Sequence, residues 1–439
     1  MQPTPSTLAL RPLSGMELGI WKTDRGAPLN FTTNARITGP LTERAIRAAL
    51  PAVRARHAHL RARIATDAKG MPAFRHDGVA PLELKVVAGG DWVAELDREL
   101  NQPFAAADPL ARFTLIPASA DDATLLITIH HSVGDGLSGV YLMRDLIAAT
   151  AQALADQVPQ LPALEEAASV DAGLPRAARG AWRHHARFVF HELWMVLRHG
   201  KPLKVRRDQD LLAQARRARV IPHQLDAALT ERLSARARAE KTTVHGALSA
   251  AMLLGILADA KVERAGVTFG TPVNVRPMLL PAVGEQVGFY VSMSTYRAVV
   301  DAKQNFWDLA RAVRRQLETG NARGDPLAMI DLLPRLIRLI GADRLDPRAL
   351  LERFERNVAS TSGLTNLGRL TIATVHGPLT IEDCHFAASP SALGDFLSTA
   401  TSLNGRIFWN FVWPDPVLTP EHAEALVDGI VARLKDAVA

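Results

Sequence analysis

The sequence predicts an α+β protein built from two halves that a linker joins. The chain has 439 residues, more than one ordinary hydrophobic core encloses, so we expect two core-forming halves. Helix and strand patterns alternate in both parts of the chain, and a Pro/Ala-rich stretch without clear periodicity separates them. We place the halves at residues 1–170 and 216–439, with the linker over 171–215.

Helix and strand patterns follow one another in the first half. Apolar side chains at helical spacing predict a helix over 41–64, and alternating side chains predict a strand over 80–89. Two further strand patterns, ARFTLIPA at 111–118 and ATLLITIHH at 123–131, are separated by a short polar turn, which predicts a hairpin. A helix pattern over 137–154 follows directly.

The second half repeats this mixture of elements. An apolar helix is expected over 244–258, and the alternating strand patterns are AGVTFGTPVNVR, VGFYVSMSTYRAVV and GRIFWNFVWP. A C-terminal helix is expected to begin at Thr419, whose side chain can cap it, with Pro420 at the first helical position. Its inward face is predicted to comprise Leu426, Val427, Ile430, Val431 and Leu434.

Composition limits the classes of function. Basic residues number 51 against 45 acidic ones, and this net charge of +6 suits an anionic partner such as a phosphorylated cofactor, an acidic carrier protein or a lipid headgroup. The sequence has no basic stripe with interleaved aromatic residues and no zinc-finger or RNP-like motif. We therefore expect no nucleic-acid partner.

Cysteine content and hydropathy indicate the compartment. Cys384 is the only cysteine, so no intrachain disulfide can form, and we expect a buried structural thiol rather than a nucleophile. The N-terminus lacks the basic and apolar regions of a secretory signal. The most apolar stretch, 244–260, is shorter than the roughly 20 residues that cross a bilayer. These observations predict a cytoplasmic protein.

The stretch LLITIHHSVGDGLSGVYLMRDL admits two incompatible interpretations. Gly134, Gly136 and Gly139 match G-x-G-x-x-G, a dinucleotide-binding turn. That motif also needs an acidic residue about 20 positions on, at the end of a second strand, yet the candidate Asp156 lies where no strand is predicted. Asp135 would moreover direct its carboxylate at a pyrophosphate. We therefore reject a nucleotide site and assign the glycines to a tight exit from strand to helix.

The same stretch also matches H-H-x-x-x-D-G, formed by His130, His131, Asp135 and Gly136. The motif stands at the C-terminal end of an apolar strand, where a rigid scaffold can present a side chain into a cleft. Because consecutive strand side chains point to opposite faces, only one of the two histidines can enter a given cavity. Histidine and aspartate also bind metals, but no further ligand cluster with familiar spacing is present, and we predict no metal site.

Together with five other segments, this motif resembles the chloramphenicol acetyltransferase-like acyltransferases. These include peptide-synthetase condensation domains, polyketide-associated acyltransferases, plant-type hydroxyl acyltransferases and wax ester synthases. In the family's order, the similar segments are LSGMELGIW, RHAHLRARI, HHSVGDG, PVNVRP, VGFYVSMST and STSGLTNLGRL. Two departures are that Ala62 and Ile64 replace the family's usual Thr and Phe, and that the plant-type D-F-G-W-G segment is not evident. The resemblance implies two chloramphenicol-acetyltransferase-like halves, each a mixed sheet with flanking helices, arranged as a V with a tunnel at their interface.

The resemblance also assigns roles to single residues. His131, the second histidine, is implied as the general base that deprotonates the acceptor and returns the proton to the departing thiolate. Asp135 is implied in a buried salt bridge that shapes the motif loop. We expect Arg276, in PVNVRP, as its partner, with Arg61 as the alternative.

The remaining candidate residues have less specific roles. His130 and Gly136 complete the structural motif. Thr365 and Asn366 either contact the substrate, stabilising the oxyanion or orienting the acceptor, or form only a sheet-crossover turn. The residues that would bind a cofactor are not identified by any motif.

The implied activity is that of an O-acyltransferase in lipid or natural-product biosynthesis. An acyl group would pass from a thioester to the hydroxyl of a small molecule or lipid and form an ester. No tightly bound cofactor is expected, because the donor is acyl-coenzyme A or a phosphopantetheine thioester on an acyl carrier protein. Two other functions stay open: an amide-forming condensation enzyme acting on carrier-bound substrates, and a non-catalytic docking protein that keeps the fold.

A basic aromatic segment over 181–207 predicts an amphipathic helix between the halves. Three roles are open for it: bridging the halves, which we favour; peripheral contact with a membrane or a long lipid substrate; and attraction of coenzyme A phosphates or an acidic carrier protein. The residues predicted to share its apolar face are Trp182, Ala186, Val189, Phe190, Leu193 and Leu197.

Overall fold

A computed structural model describes most of the chain as two large mixed sheets and one small sheet with flanking helices. The predicted α+β class with mixed sheets is confirmed, whereas the V arrangement, the tunnel and the limits of the halves stay predictions. The described residues are 11–66, 71–105, 108–165, 168–339, 346–357, 360–389 and 395–439.

The first large sheet forms around the predicted hairpin. β6 (Ala111–Ser119) and β7 (Asp122–His130) pair antiparallel, and β2 (Asn30–Thr38) pairs with the other side of β7. β5 (Leu84–Val86) adds in parallel to β6 and is shorter than the predicted strand over 80–89. The apolar β7 thus lies between two strands, and its last residue is the first histidine of the motif.

Strands from late in the sequence complete this sheet. β13 (Leu379–Ile381) and β14 (His385–Ala388) both pair with β2, and β12 (Val375–His376) pairs with β13. The sheet that carries the motif therefore contains strands from both predicted halves. No sequence pattern indicates this exchange, because strand alternation does not specify the pairing partner.

The second large sheet is antiparallel except around one strand. That strand, β11, runs parallel to both of its neighbours, and the others pair antiparallel. In spatial order the strands are β10 (Val291–Asp301), β9 (Arg264–Asn274), β11 (Ser362–Arg369), β15 (Leu397–Leu403), β16 (Arg406–Asp415) and β8 (Arg217–Leu225). β10 begins four residues later than predicted, since the backbone N–H of Tyr290 donates to a carboxylate, Asp135, instead of extending the ladder.

A small sheet and the flanking helices complete the fold. The small sheet consists of β1 (Arg11–Pro12), β3 (Arg63–Thr66) and β4 (Pro72–Arg75). The helices are α1 (Gly15–Asp24), α2 (Glu43–Arg56), α3 (Trp92–Asn101), α4 (Gly136–Leu154), α5 (Trp182–His199), α6 (Ala227–Ala239), α7 (Val244–Asp259), α8 (Phe306–Arg323), α9 (Asp325–Leu339), α10 (Pro347–Asn357) and α11 (Pro420–Val438).

Local contacts explain where α11 begins and where α2 ends. α11 begins as predicted, with the Thr419 hydroxyl accepting a hydrogen bond from the backbone N–H of His422. α2 ends at Arg56, earlier than the predicted 41–64, because His57 adopts an extended conformation and its ring turns inward to Asp145. The side chains predicted on the inward face of α11 are buried, and α2 buries Ile46, Leu50 and Val53.

The helices α6 and α7 contain the most apolar part of the chain. Residues 246–257 of α7 are all buried in the core of the second large sheet. Among the described residues, no single helix has both the length and the apolarity of a bilayer span, although α6 and α7 together have them across a 98° bend. Cys384 is buried, as predicted, and burial raises the pKa of its thiol.

The orientation of α5 differs from what its amphipathic pattern suggests. The predicted apolar residues do share a face, but that face points to solvent: Phe190 is 71% and Leu197 83% exposed. The side chains that α5 buries are Phe188 and Met195, and the helix packs on β10 and α9. Helical periodicity therefore identified which side chains share a face of α5, but that face is not the one that packs on the core.

Candidate active site

His131 lies one residue beyond the end of β7, in a turn that leads into α4. Its Nδ1 is 2.9 Å from the carbonyl oxygen of Gly134. A carbonyl oxygen only accepts hydrogen bonds, so Nδ1 carries the proton and Nε2 presents a lone pair. In the part of the chain that the structure describes, Nε2 has no hydrogen-bond partner. The turn thus selects the tautomer that a general base needs.

Aromatic side chains surround the His131 ring. The ring centroid lies 5.2 Å from that of Phe31 and 5.5 Å from that of Phe289, and the imidazole is half-buried. Burial disfavours the charged imidazolium and lowers the pKa of His131 below its usual 6.5. The ring is therefore neutral at pH 7, as a proton acceptor must be.

His130 has a different environment. Its Nε2 lies 3.2 Å from Oδ2 of Asp24, at the end of α1, and its Nδ1 accepts a hydrogen bond from the backbone N–H of Ser132. The side chain is 5% exposed, and both ring nitrogens have partners. The structure thus separates the two histidines: His130 ties α1 to β7, and His131 keeps one nitrogen free.

Asp135 is the N-cap of α4, and its carboxylate is fully occupied. Oδ1 accepts from the backbone N–H of Ser138 at 2.9 Å. Oδ2 accepts from Nη1 of Arg276 at 2.5 Å and from the backbone N–H of Tyr290 at 3.1 Å. A carboxylate with these partners organises the turn and is not available as a base.

The partner of Asp135 is Arg276, and the alternative Arg61 is elsewhere. Arg276 is 2% exposed, and its guanidinium carbon lies 4.8 Å from the ring centroid of Tyr290. Arg61 instead donates to the carbonyl oxygens of Arg54 and Ala55 at the end of α2. The buried ion pair therefore joins the motif to the segment that precedes β10.

Ser138 is a site residue that we did not predict. Its hydroxyl accepts from Nη2 of Arg276 at 3.1 Å and from the backbone N–H of Gly288 at 3.2 Å. It also closes a capping box with Asp135, since each backbone N–H donates to the other side chain. The spacing D-x-x-S at a helix start could have identified it, because N-cap and N3 residues pair in this way.

Gly136 explains why the motif requires a glycine beside the aspartate. A Cβ at this position would lie 3.0 Å from Cδ2 and 3.1 Å from Cδ1 of Leu367. Leu367 belongs to β11, so the glycine allows this strand to approach the start of α4. The segment that contains Thr365 and Asn366 is thereby placed next to the motif.

Thr365 and Asn366 lie at an irregularity of β11. The pairing of β11 with β15 shifts register between Asn366 and Arg369, and Gly368 adopts a φ of +70°. Oδ1 of Asn366 accepts from the backbone N–H of Gly368 at 2.7 Å. Among the described residues, the Asn366 amide N–H groups and the Thr365 hydroxyl have no hydrogen-bond partner, which leaves them as donors.

The segment RHAHLRARI contributes to a second buried cluster. Nε of Arg56 and Nε2 of His57 lie 2.6 and 3.0 Å from the same carboxylate oxygen of Asp145 on α4. Arg144 binds the other oxygen, and Glu285 binds both arginines. This cluster fastens α2 and α4 to the loop that contains Glu285, so the segment resembling the family serves the fold here.

The chain is similar to known proteins in both sequence and fold. The family model named Condensation domain matches residues 23–331. Among curated relatives, the nonribosomal peptide synthetase kk1B of Curvularia clavata is 30% identical over 295 residues, which are 64% of this chain and 2% of kk1B. Eight curated relatives are much longer proteins, and the chain spans 2% to 30% of their lengths.

Solved structures share the fold over almost the whole chain. Polyketide synthase associated protein 5 from Mycobacterium tuberculosis aligns with a TM-score of 0.70 at 17% identity and covers 97% of this chain and 98% of its own. The TRI3 trichothecene 15-O-acetyltransferase from Fusarium sporotrichioides aligns with a TM-score of 0.75 at 10% identity, covering 99% and 96%. With the family model matching well over half of its residues, this chain belongs to the condensation-domain family.

Proposed function

We propose that the protein is an acyltransferase in which His131 acts as the general base. The observation that carries this proposal is the hydrogen bond between Nδ1 of His131 and the Gly134 carbonyl oxygen. It leaves Nε2 unprotonated, and the lowered pKa keeps it so at neutral pH. Membership of the condensation-domain family supports the same chemistry.

The reaction is a direct transfer without a covalent acyl-enzyme. As the acceptor oxygen attacks the thioester carbonyl carbon, its proton moves to Nε2 of His131. The tetrahedral intermediate collapses, the carbon–sulfur bond breaks, and the thiolate takes the proton back from Nε2. The Gly134 carbonyl accepts from Nδ1 throughout and stabilises the transient imidazolium. The products are an ester and a free thiol.

Donors near the motif suit the oxyanion of the intermediate. The amide N–H groups of Asn366 and the hydroxyl of Thr365 are free to donate. The next residue, Leu367, packs on Gly136 and thereby holds this part of β11 beside the motif. We assign oxyanion stabilisation to one of these two residues, because consecutive strand side chains point to opposite faces. Asp135 has only an organising role, since its carboxylate is saturated by Ser138, Arg276 and Tyr290.

The substrates follow from the same reaction class. We propose a thioester donor, carried by coenzyme A or by the phosphopantetheine of a carrier protein, and a hydroxyl acceptor. The name of TRI3, an O-acetyltransferase of the same fold, supports ester formation. A second candidate, amide formation between carrier-bound substrates, is supported by the curated relatives named as peptide synthetases, among them the tripeptide synthetase PhsC of Streptomyces viridochromogenes.

A panel assay tests both candidates. Purified protein is offered acyl-coenzyme A and acyl-carrier thioesters with alcohols and with amines, and both free thiol and product mass are measured. Thiol release with alcohols and a product of ester mass is the expected result. Transfer to amines alone would replace the ester proposal by the amide one. No thiol release above buffer with any pair would leave only a docking role.

Two variants distinguish the loss of the general base from a loss of folding. His131→Ala should unfold at the same urea concentration as the wild type and lose turnover by a factor of about 10² or more. The matched control is His376→Ala, which removes a half-buried imidazole from β12 and should keep full activity. A folded and fully active His131→Ala protein would refute the assignment.

A further inference from the structure

The outward face of α5 is unusually apolar for the surface of a folded chain. Leu197, Phe190 and Leu193 are 83%, 71% and 58% exposed, although each would normally be buried. At 100° per residue the exposed apolar side chains occupy an arc of roughly 160° along the whole helix. They are Trp182, Phe190, Leu193, Trp194, Val196 and Leu197.

Polar contacts hold α5 with this face outward. His185 Nε2 lies 3.1 Å from Oδ2 of Asp331, and Glu192 pairs with Arg297 on β10. Histidines at 184, 185, 191 and 199 are half-buried on the side that meets the protein. The helix is thus inverted relative to an ordinary surface helix, whose apolar side faces the core. These contacts, together with the buried side chains of Phe188 and Met195, place the polar side of α5 on the protein.

The charge of the chain is concentrated around the same helix. Residues 181–207 contain seven Lys or Arg and one acidic residue, Glu192, a net of +6 that equals the net charge of all 439 residues, although Arg206 and Arg207 pair with carboxylates outside the segment. The rest of the chain is therefore neutral overall. The guanidinium carbons of Arg183 and Arg198 lie 5.4 and 5.2 Å from the ring centroids of Trp182 and Trp194.

We propose that α5 is a membrane-surface helix that lies flat in the headgroup region of a bilayer containing anionic lipids. Leucine, phenylalanine and tryptophan on one face and arginines at one edge of that face are features of such interfacial helices. Basic residues near the surface add attraction to anionic headgroups. An 18-residue helix offers an apolar strip about 27 Å long. An acidic protein would instead need cations at the centre of the face, where the apolar side chains lie.

A neighbouring helix extends the same kind of surface. α9 packs on α5 and exposes Leu336 by 38% and Leu339 by 81% at its C-terminal end. The Arg335 guanidinium lies beside Gly180, just before α5 begins, so this end of α9 adjoins the start of the helix. The proposal is independent of the acyl-transfer proposal, because no residue of α5 belongs to the candidate active site.

Vesicle sedimentation of the full chain tests the proposal. The wild type should pellet with phosphatidylcholine vesicles that contain about one-third phosphatidylglycerol, less with pure phosphatidylcholine, and less at high salt. Phe190→Glu with Leu197→Glu should weaken binding by about tenfold or more. Val158→Glu, which changes a 78% exposed residue outside α5, is the matched control and should bind as the wild type does. All three proteins should keep the same thiol-release activity.

Two results of vesicle binding would overturn the membrane role: a wild type that stays in the supernatant with every vesicle, and a double variant that binds as well as the wild type. Two further results would assign the face to a protein partner instead. One is a dimer, detected by light scattering during gel filtration, that the double variant abolishes without any vesicle binding by the wild type, which would assign the face to a second copy of the chain. The other is capture of an acidic carrier protein by the same face.

Discussion

Arg276 and Asp135, 141 positions apart in sequence, form a buried ion pair in which Nη1 and Oδ2 are 2.5 Å apart. Both side chains are at most 7% exposed. Since Asp135 also caps α4, the pair connects the turn that carries His131 to the segment before β10. The position of the candidate base therefore depends on residues far away along the chain.

Removing one partner of this pair should destabilise the fold. Asp135→Ala leaves the Arg276 guanidinium buried without its carboxylate, and we expect a loss of about 3–5 kcal/mol in the free energy of unfolding, measured with urea. Activity should fall together with stability. The double variant with Arg276→Met should lose less than the two single variants summed, because no buried charge remains. An Asp135→Ala protein as stable as the wild type would show that the pair is energetically neutral.

The pH dependence of activity should report the burial of His131. Burial lowers its pKa, so the neutral base persists as the pH falls through 6.5, and kcat/KM should decline only below that value. Phe289→Ala admits water to the His131 ring, which should raise the pKa of His131 and move the acid limb of the pH profile to higher pH. A wild-type acid limb centred at or above pH 6.5 would contradict this account of the imidazole.

Gly139 should be required for packing and not for ligand binding. A Cβ there would overlap Oγ1 of Thr33 and come within 2.9 Å of its Cβ, where α4 crosses β2. Gly139→Ala should therefore cost about 1–3 kcal/mol, and adding Thr33→Ala should restore part of it. Gly429→Ala is the control, since this exposed glycine of α11 has no atom near its would-be Cβ and should gain up to about 1 kcal/mol. Urea unfolding of the four proteins measures all of these differences.

Asn366 offers a variant that separates structure from catalysis. Asn366→Asp keeps the oxygen that accepts from the Gly368 backbone N–H but removes the amide donors. Unfolding should be unchanged, whereas kcat should fall by a factor of about 10² to 10³ if those donors stabilise the oxyanion. Asn366→Ala should additionally lose stability. An unchanged kcat in Asn366→Asp would show that Asn366 only stabilises the irregularity of β11.

Much of the local structure was predictable because it depends on neighbours in sequence. The β6–β7 hairpin, the helix after the motif and the capped start of α11 formed as expected. The same is true of the glycine turn after β7. Its backbone places the Gly134 carbonyl three residues from His131, within reach of the ring. The motif and its turn could therefore be identified from the sequence alone.

Other features required the tertiary structure, because periodicity shows which side chains share a face but not what covers that face. The apolar side of α5 points outward, since the helix packs on β10 and α9 with its polar side, which carries the Glu192–Arg297 ion pair. β13 and β14 join the first sheet, a pairing that only the fold of both halves brings about. The sequence by itself determined the histidine, its turn and the elements around it. Long-range contacts decided which arginine meets Asp135 and which surface stays uncovered, because both depend on how distant segments pack.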